Sequence, residues 1–116
     1  MHELTDILKN VINDAMRIGF PVSDALERKI YIDKATYDRV GACYRYPFPE
    51  RYEIHLSEDT QKAHINIIRD IIAHEVLHTS FITMDHNCFW MMYQEKMNSN
   101  LGYNIQIKYS WNEILK

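Results

Sequence analysis

The chain has 116 residues, of which 47% are hydrophobic, and a formal net charge of −3, which suits one packed domain and argues against strong binding to nucleic-acid phosphates. Its two cysteines, Cys43 and Cys88, are too few for a disulfide framework, and the first residues lack a signal-peptide pattern. We therefore expect one cytoplasmic domain over residues 1–116, with at most weak nucleic-acid binding and no membrane association.

The first half of the chain predicts a helix followed by three strands. Apolar residues recur at helical spacing over residues 3 to 18, and Gly19 ends that helix. Alternation of apolar and polar side chains predicts strands at Lys29–Asp33, Val40–Tyr46 and Arg51–Leu56. The last two strands are close enough in sequence to form an antiparallel hairpin.

The second half of the chain predicts two helices and a final strand. Ser57 to Thr60 offer N-cap residues for a long helix that runs to about Phe81, and a further helix spans Cys88–Ser99. Tyr103–Tyr109 alternates and predicts a strand, and Trp111–Lys116 predicts one helical turn. The expected class is α+β with a small, mostly antiparallel sheet.

A motif that can carry chemistry lies in the long predicted helix. Residues 74–78 read His-Glu-Val-Leu-His, the HExxH pattern. Residues four apart share one helix face, so His74 and His78 can bind the same tetrahedral zinc ion. Glu75 projects to the side, where it can act as general base on a zinc-bound water. The alternative is an ordinary helix with two solvated histidines and an exposed glutamate.

A zinc site of this type needs a third ligand. His86 follows the motif closely enough for a turn to bring it back to the ion, and Glu95, on the next helix, is the second choice. His64 lies roughly 15 Å from the motif along the helix axis. His55 lies on a strand whose other face is apolar. His86 is therefore the preferred third ligand, although a solvated turn histidine is also open.

Three neighbouring residues have two interpretations each. Asp70 lies one helical turn before the motif and can either orient His74 or remain solvated. Asp85 has the same two interpretations beside His86. Cys88 is expected to be a packed thiol, with metal ligation as the lesser option.

Several stretches of the chain together resemble a known peptidase family. In chain order they are Arg39 to Cys43, Tyr52 to Ser57, His74 to Thr79, His86 to Trp90, and the pair Met97-Asn98. They are similar to the Gly-x-Cys hairpin, the zinc helix, the third-ligand stretch and a later Ile-Asn of the SprT-like metallopeptidases, the domain also found in Spartan-type DNA–protein crosslink proteases. The likeness covers about residues 25 to 100.

The resemblance implies a zincin-like fold in which His74, His78 and His86 bind Zn²⁺ and Glu75 is the general base. It also implies an endopeptidase that acts on protein or peptide substrates, including DNA-associated proteins. Asn87 departs from the glycine that usually follows the third ligand. The sequence also has no counterpart of the C-terminal cysteine zinc ribbon, so we expect a minimal form of the domain.

Two classes of function stay open at this point. The first is a zinc endopeptidase that holds its substrate as an added strand along Tyr52–Leu56, where Tyr44, Tyr46 and Tyr52 either line the cleft or pack across strands. The second is a non-catalytic, zinc-stabilised interaction module, such as one encoded by a phage or mobile element. An open metal position facing Glu75 would support the enzyme, and a closed four-ligand site would support the module.

Overall fold

A computed structural model describes residues 2–34 and 39–115. The elements in chain order are α1 (His2–Arg17), β1 (Leu26–Asp33), β2 (Gly41–Pro47), β3 (Glu50–Ser57), a 3₁₀ helix (Glu58–Lys62), α2 (Ile65–Val76), a second 3₁₀ helix (Phe81–Thr83), α3 (Cys88–Leu101) and α4 (Trp111–Ile114). The α+β class is confirmed, and so is the last helical turn, although Lys116 lies outside the described residues. Within the described residues, no helix is long and apolar enough to cross a membrane.

The three strands form a mixed sheet in the order β1-β3-β2. Strand β2 pairs antiparallel with β3, as the hairpin prediction required, but β1 pairs parallel with β3. The expectation of a mostly antiparallel sheet is therefore wrong. The chain passes from β1 to the far edge of the sheet before the hairpin brings β3 back alongside β1. Both edges of β3 are paired, so Tyr52–Leu56 cannot accept a substrate strand.

The core lies between the inner face of the sheet and helices α1, α2 and α3. The apolar side chains of α2 are largely buried, but Ile65, at the exposed start of this helix, is not. On α3, Trp90 and Met97 are fully buried, whereas Met91 is exposed. Among the largest fully buried side chains are Leu8, Val11, Tyr52, Ile54, Leu56, Ile71, Ile72, Val76, Leu77, Trp90, Met97 and Ile105.

Helix α2 begins later than the sequence predicts. Residues 58–62 form a 3₁₀ helix, after which Ala63 and His64 are extended. The His64 ring then caps α2, because its Nδ1 accepts a hydrogen bond from the Asn66 N–H at 3.1 Å. His64 is thus held at the opposite end of α2 from the HExxH motif.

Residues 103–109, here called the strap, do not form the predicted strand. They cross α2 and α3 in an irregular path, and side chains of those helices bond their backbone. The Asp70 carboxylate accepts from the Asn104 N–H at 3.2 Å. Asn98 accepts from the Ile105 N–H at 2.8 Å and donates to the Ile105 carbonyl at 3.2 Å. The alternating pattern misled because Tyr103 and Ile105 are buried beside helices rather than in a sheet, while Ile107 is exposed.

Candidate metal centre

The HExxH motif spans the C-terminal end of α2. The α-helix stops at Val76, but the His78 N–H donates to the Glu75 carbonyl at 3.0 Å, so the chain makes one further, tighter turn. His74 and His78 therefore stay on one face, with ring centroids 5.0 Å apart. The predicted spacing argument holds even though the second histidine lies just beyond the α-helix.

Three imidazole rings converge on one point. The Nε2 atoms of His74 and His78 are 3.3 Å apart, and His86 Nε2 lies 3.0 Å from each of them. A tetrahedral ion with bonds of about 2.0–2.1 Å needs ligand nitrogens about 3.3 Å apart. These three residues could therefore hold a metal ion.

The second choice for the third ligand does not join this group. Glu95 lies on the exposed side of α3 and lines a separate shallow groove with Met91 and Met92. Cys88 is exposed and lines that same groove, so the expectation of a packed thiol is wrong and the lesser option, metal ligation beside the histidines, is not supported either. Within residues 2–34 and 39–115, the three histidines are the one group of potential ligands that lie close enough to share an ion.

Backbone carbonyls orient two of the rings. His74 Nδ1 lies 2.7 Å from the Gln106 carbonyl oxygen, and His78 Nδ1 lies 2.7 Å from that of Thr83. A carbonyl can only accept, so each Nδ1 carries the proton and each Nε2 keeps the lone pair that a metal requires. Sequence analysis missed Gln106 and Thr83, because a main-chain carbonyl has no side-chain signature.

The strap places the Gln106 carbonyl behind His74. Asp70 and Asn98 hold the two preceding residues through the hydrogen bonds described above. The Tyr109 hydroxyl accepts from the Gln106 N–H at 3.0 Å. One interpretation of the sequence had Asp70 orienting the His74 ring directly. Asp70 instead supports the segment that contacts this ring.

A turn organised by Asn87 delivers His86 to the cluster. The Asn87 side chain caps α3 by accepting from the Phe89 and Trp90 N–H groups at 3.1 and 3.0 Å, and it donates to the Ile82 carbonyl at 2.6 Å. Its φ is −87°, a conformation that any residue adopts. Asparagine therefore satisfies the position where the SprT-like pattern has glycine.

The buried indole of Trp90 forms the wall behind the histidines. Its ring centroid lies 4.9, 5.4 and 4.6 Å from those of His74, His78 and His86. Its Nε1–H donates to the His74 carbonyl at 3.3 Å. Trp90 therefore belongs to the core, and the same ring also fixes the positions of the three imidazoles.

Burial keeps the cluster in the form that binds metals. Burial and the neighbouring histidines, opposed by the hydrogen bond to Gln106, together lower the pKa of His74 to about 3. Burial likewise lowers the pKa of His78 and of His86. Neutral imidazoles at neutral pH require no deprotonation before they coordinate an ion.

Glu75 is buried next to the cluster. Its Oε2 lies 3.9 Å from His74 Nε2. Burial raises the pKa of Glu75 to about 8, and the positive charge of Arg39 acts in the opposite direction. A divalent cation at the three nitrogens would act in the same direction as Arg39 and lower the pKa of Glu75, because a nearby positive charge favours the charged carboxylate. The side chain lies beside the metal position without belonging to the ligand set.

The histidines form the floor of an open cleft of about 400 Å³. The start of edge strand β2 with the residue before it, Val40 to Cys43, lines this cleft, and so do residues 107–109 of the strap. Gly41 brings β2 close to α2, because a Cβ there would lie 3.0 Å from Ile71 Cγ2. Asp85, which sequence analysis placed beside His86, also lines the cleft.

Of the two interpretations of the tyrosines, packing across strands holds for two of them and lining of the cleft for none of the three. Tyr44 packs edge-on against His55 on the outer face of the sheet, with ring centroids 4.6 Å apart. Tyr46 pairs with Arg51 on the neighbouring strand, and Arg51 lies over its ring. Tyr52 is buried in the core.

Comparison of the chain with models of known protein families, with curated proteins and with solved structures finds no match. The likeness to SprT-like peptidases therefore rests on the stretches quoted above.

Proposed function

We propose that this chain is a zinc-dependent endopeptidase with a zincin-like, SprT-like active site. The proposal depends on one observation: three Nε2 atoms lie 3.0–3.3 Å apart on the floor of an open cleft, beside a buried carboxylate. Structural zinc sites are usually closed by four protein ligands, whereas catalytic sites have three and an open position. His74, His78 and His86 form a three-ligand set among the described residues.

Zinc suits this donor set, because imidazole nitrogens at tetrahedral spacing are typical zinc ligands. When bound, zinc supplies a Lewis acid that polarises a peptide carbonyl and makes a water molecule more acidic. The protein contributes orientation, since the carbonyls of Gln106 and Thr83 hold two ligand rings with Nε2 toward the ion.

Glu75 is proposed as the general base. Its carboxylate accepts a proton from the attacking water and then delivers it to the leaving amine. Its burial excludes competing solvent, and its position outside the ligand set leaves both oxygens for proton transfer. These features distinguish its role from that of the three histidines.

Substrate is proposed to add to strand β2 rather than to β3. Strand β2 is an edge of the sheet, and its first residues line the cleft above the histidines. An extended peptide can pair with such an edge through main-chain hydrogen bonds and so bring a peptide bond over the ligand set. This mode of binding tolerates many sequences, which suits an endopeptidase.

The test is Glu75→Gln, with Glu95→Gln on the exposed side of α3 as the matched control. We expect Glu75→Gln to lower cleavage of an unfolded protein substrate by at least about 100-fold, because it removes the base. Its zinc content should stay near that of the wild type, since Glu75 is not a ligand. Glu95→Gln should change neither quantity. Loss of zinc from Glu75→Gln, or undiminished cleavage, would contradict the assignment.

A non-catalytic, zinc-stabilised interaction module is the alternative, and one observation favours it. Phe48, at the tip of the β2–β3 hairpin, is 94% exposed, and Phe89 and Met91 on α3 are also exposed. Apolar side chains in such positions commonly contact a partner protein. A wild-type protein that binds zinc tightly but cleaves nothing across a broad panel of substrates would favour the module over the enzyme.

A further inference from the structure

We propose that the cleft selects peptides that carry acidic side chains close to the scissile bond. The proposal rests on the peptidase function proposed above and names its substrate class. It follows from two cationic residues, Arg39 and Lys108, that line the same cleft as the three histidines.

The two cations belong to different elements. Arg39 lies just before edge strand β2, and Lys108 lies in the strap. Both residues are exposed. A peptide that adds to β2 above the histidines would therefore lie in the cleft that both cations line. Because side chains alternate in direction along an extended peptide, neighbouring substrate residues can reach different parts of that lining.

With a divalent metal bound, the charge of the cleft is opposite in sign to that of the whole chain. The formal net charge of the chain is −3. Of the described residues that line the cleft, Glu75 and Asp85 are acidic, Arg39 and Lys108 are basic, and the metal site takes a divalent cation. Positive charge therefore dominates once the metal is bound. Such a local field attracts anionic ligands and orients them.

The two cations act in the cleft in different ways. Arg39 acts on the base, since its positive charge opposes the effect of burial on Glu75. Lys108 has no ion-pair partner within residues 2–34 and 39–115. A substrate carboxylate would give Lys108 a partner that the described chain does not supply. Asp85, at the His86 side of the cleft, would in turn disfavour acidic residues at that end.

The experiment compares peptides of one length in which the residues flanking the scissile bond are Glu, Gln or Lys. With zinc-loaded wild type at low salt, we expect kcat/KM to be about 10-fold higher for the Glu peptide than for the Lys peptide, and salt should reduce the ratio. Each peptide is made with a free and with an amidated C-terminus. A preference for Glu that survives amidation supports recognition of side chains, and one that disappears overturns it in favour of the terminal carboxylate.

Charge reversal at Lys108 tests the assignment without changing the cation nearest the base. Lys108→Glu should reduce or invert the Glu-over-Lys ratio, and Arg39→Gln should reduce it further. Lys9→Glu on α1 is the matched control, since it makes the same change in net charge outside the cleft. Equal kcat/KM for all three peptides, or a ratio unchanged by Lys108→Glu, would overturn the proposal while leaving the peptidase function intact.

A binding measurement separates this proposal from the proposed catalysis. Zinc-loaded Glu75→Gln, titrated with the same peptides by fluorescence anisotropy, should bind the Glu peptide more tightly than the Lys peptide. If the wild type cleaves none of the peptides but Glu75→Gln retains this order, the peptidase function fails and the cationic cleft stands. If the order is absent in binding as well as in cleavage, the cleft does not select acidic peptides.

Discussion

Histidine side chains meet polar partners in two regions of the molecule. On the outer face of the sheet, His55 lies between two carboxylates, with Nδ1 2.9 Å from Asp33 Oδ1 and Nε2 3.0 Å from Glu53 Oε1. The ring of Tyr31 stacks on it, with centroids 4.9 Å apart. Both ring nitrogens face groups that only accept hydrogen bonds, so neither is directed toward a metal position.

At the end of α2, the two nitrogens of each histidine ring have different partners. His74 and His78 each direct one nitrogen to a backbone carbonyl and the other to the shared point where His86 also arrives. The difference between the regions lies in the partner of the second nitrogen. A neutral carbonyl on Nδ1 leaves Nε2 free to bind an ion, whereas a carboxylate on each nitrogen makes the ring a bridge between strands. Variants of each region can separate these roles.

The largest expected effect comes from removing one histidine from each region. His86→Ala should weaken zinc binding by more than about 100-fold, since outer-sphere changes alone cost about 10–100-fold. His55→Ala should leave zinc affinity unchanged. Both are measured by competition with a chromogenic chelator. Retention of zinc by His86→Ala, together with its loss from Glu95→Ala, would show that the third ligand is misassigned.

The second-largest expected effect comes from removal of the metal. The three histidines join the end of α2 to the turn before α3, so zinc at 100 times its dissociation constant should stabilise the fold by about 2.7 kcal/mol. Thermal melts with and without a strong chelator should then differ by several degrees. The His55→Ala protein should show the same difference, and the His86→Ala protein should show almost none. Identical wild-type melts would count against a shared site.

The strap offers a smaller effect on the same site. Asn98→Ala removes both hydrogen bonds to Ile105 and loosens the Gln106 carbonyl behind His74, so zinc affinity should fall by about 10-fold. Asn100→Ala, on the exposed end of α3, is the matched control. The Nδ1–H resonance of His74 in NMR spectra should move in the first variant and stay in place in the second. An unchanged resonance and affinity in Asn98→Ala would mean that the strap does not position the ring.

In the sheet region around His55, stability should depend on pH instead of on metal. Burial alone would raise the pKa of Glu53, but the hydrogen bond from His55 and the charge of Arg51 outweigh burial, and the net pKa is lowered from 4.5. Its contribution to stability is therefore present above about pH 4.5 and is lost as pH falls through the folded pKa.

The corresponding variant is Glu53→Gln. In metal-free protein it should lower the free energy of unfolding by about 1 kcal/mol at neutral pH and by less in acid. Denaturant unfolding at both pH values checks this, with the exposed Glu58→Gln as control. An effect that is equal at the two pH values would show that the Glu53 charge is not responsible.

The parts of the site that could be predicted depend only on side-chain identity and on spacing over short stretches of the chain. His74, Glu75 and His78 follow helical geometry, and His86 follows from the reach of a short turn. The β2–β3 hairpin was predictable for the same reason, since its partners are close in sequence. Local patterns therefore indicated the ligand set and one half of the sheet.

The parts that could not be predicted depend on contacts between distant main-chain groups. The parallel pairing of β1 requires a crossover that no local pattern encodes. The strap resembled a strand because the alternation of Tyr103 and Ile105 is the same whether they face a sheet or helices. The carbonyl of Gln106 could belong to any residue type, so its place behind His74 emerged only from the folded chain.

The hydrogen bond between His74 and Gln106 has a consequence for the order of folding. Its partners are separated by 32 residues, so it forms only after the chain has closed a long loop and docked residues 103–109 across two helices. The helix that carries the motif can form early from local interactions, but its first ligand ring is oriented late. We therefore expect full metal affinity only when the C-terminal part of the chain is in place, so that the rate at which affinity develops during refolding would report the docking of that segment.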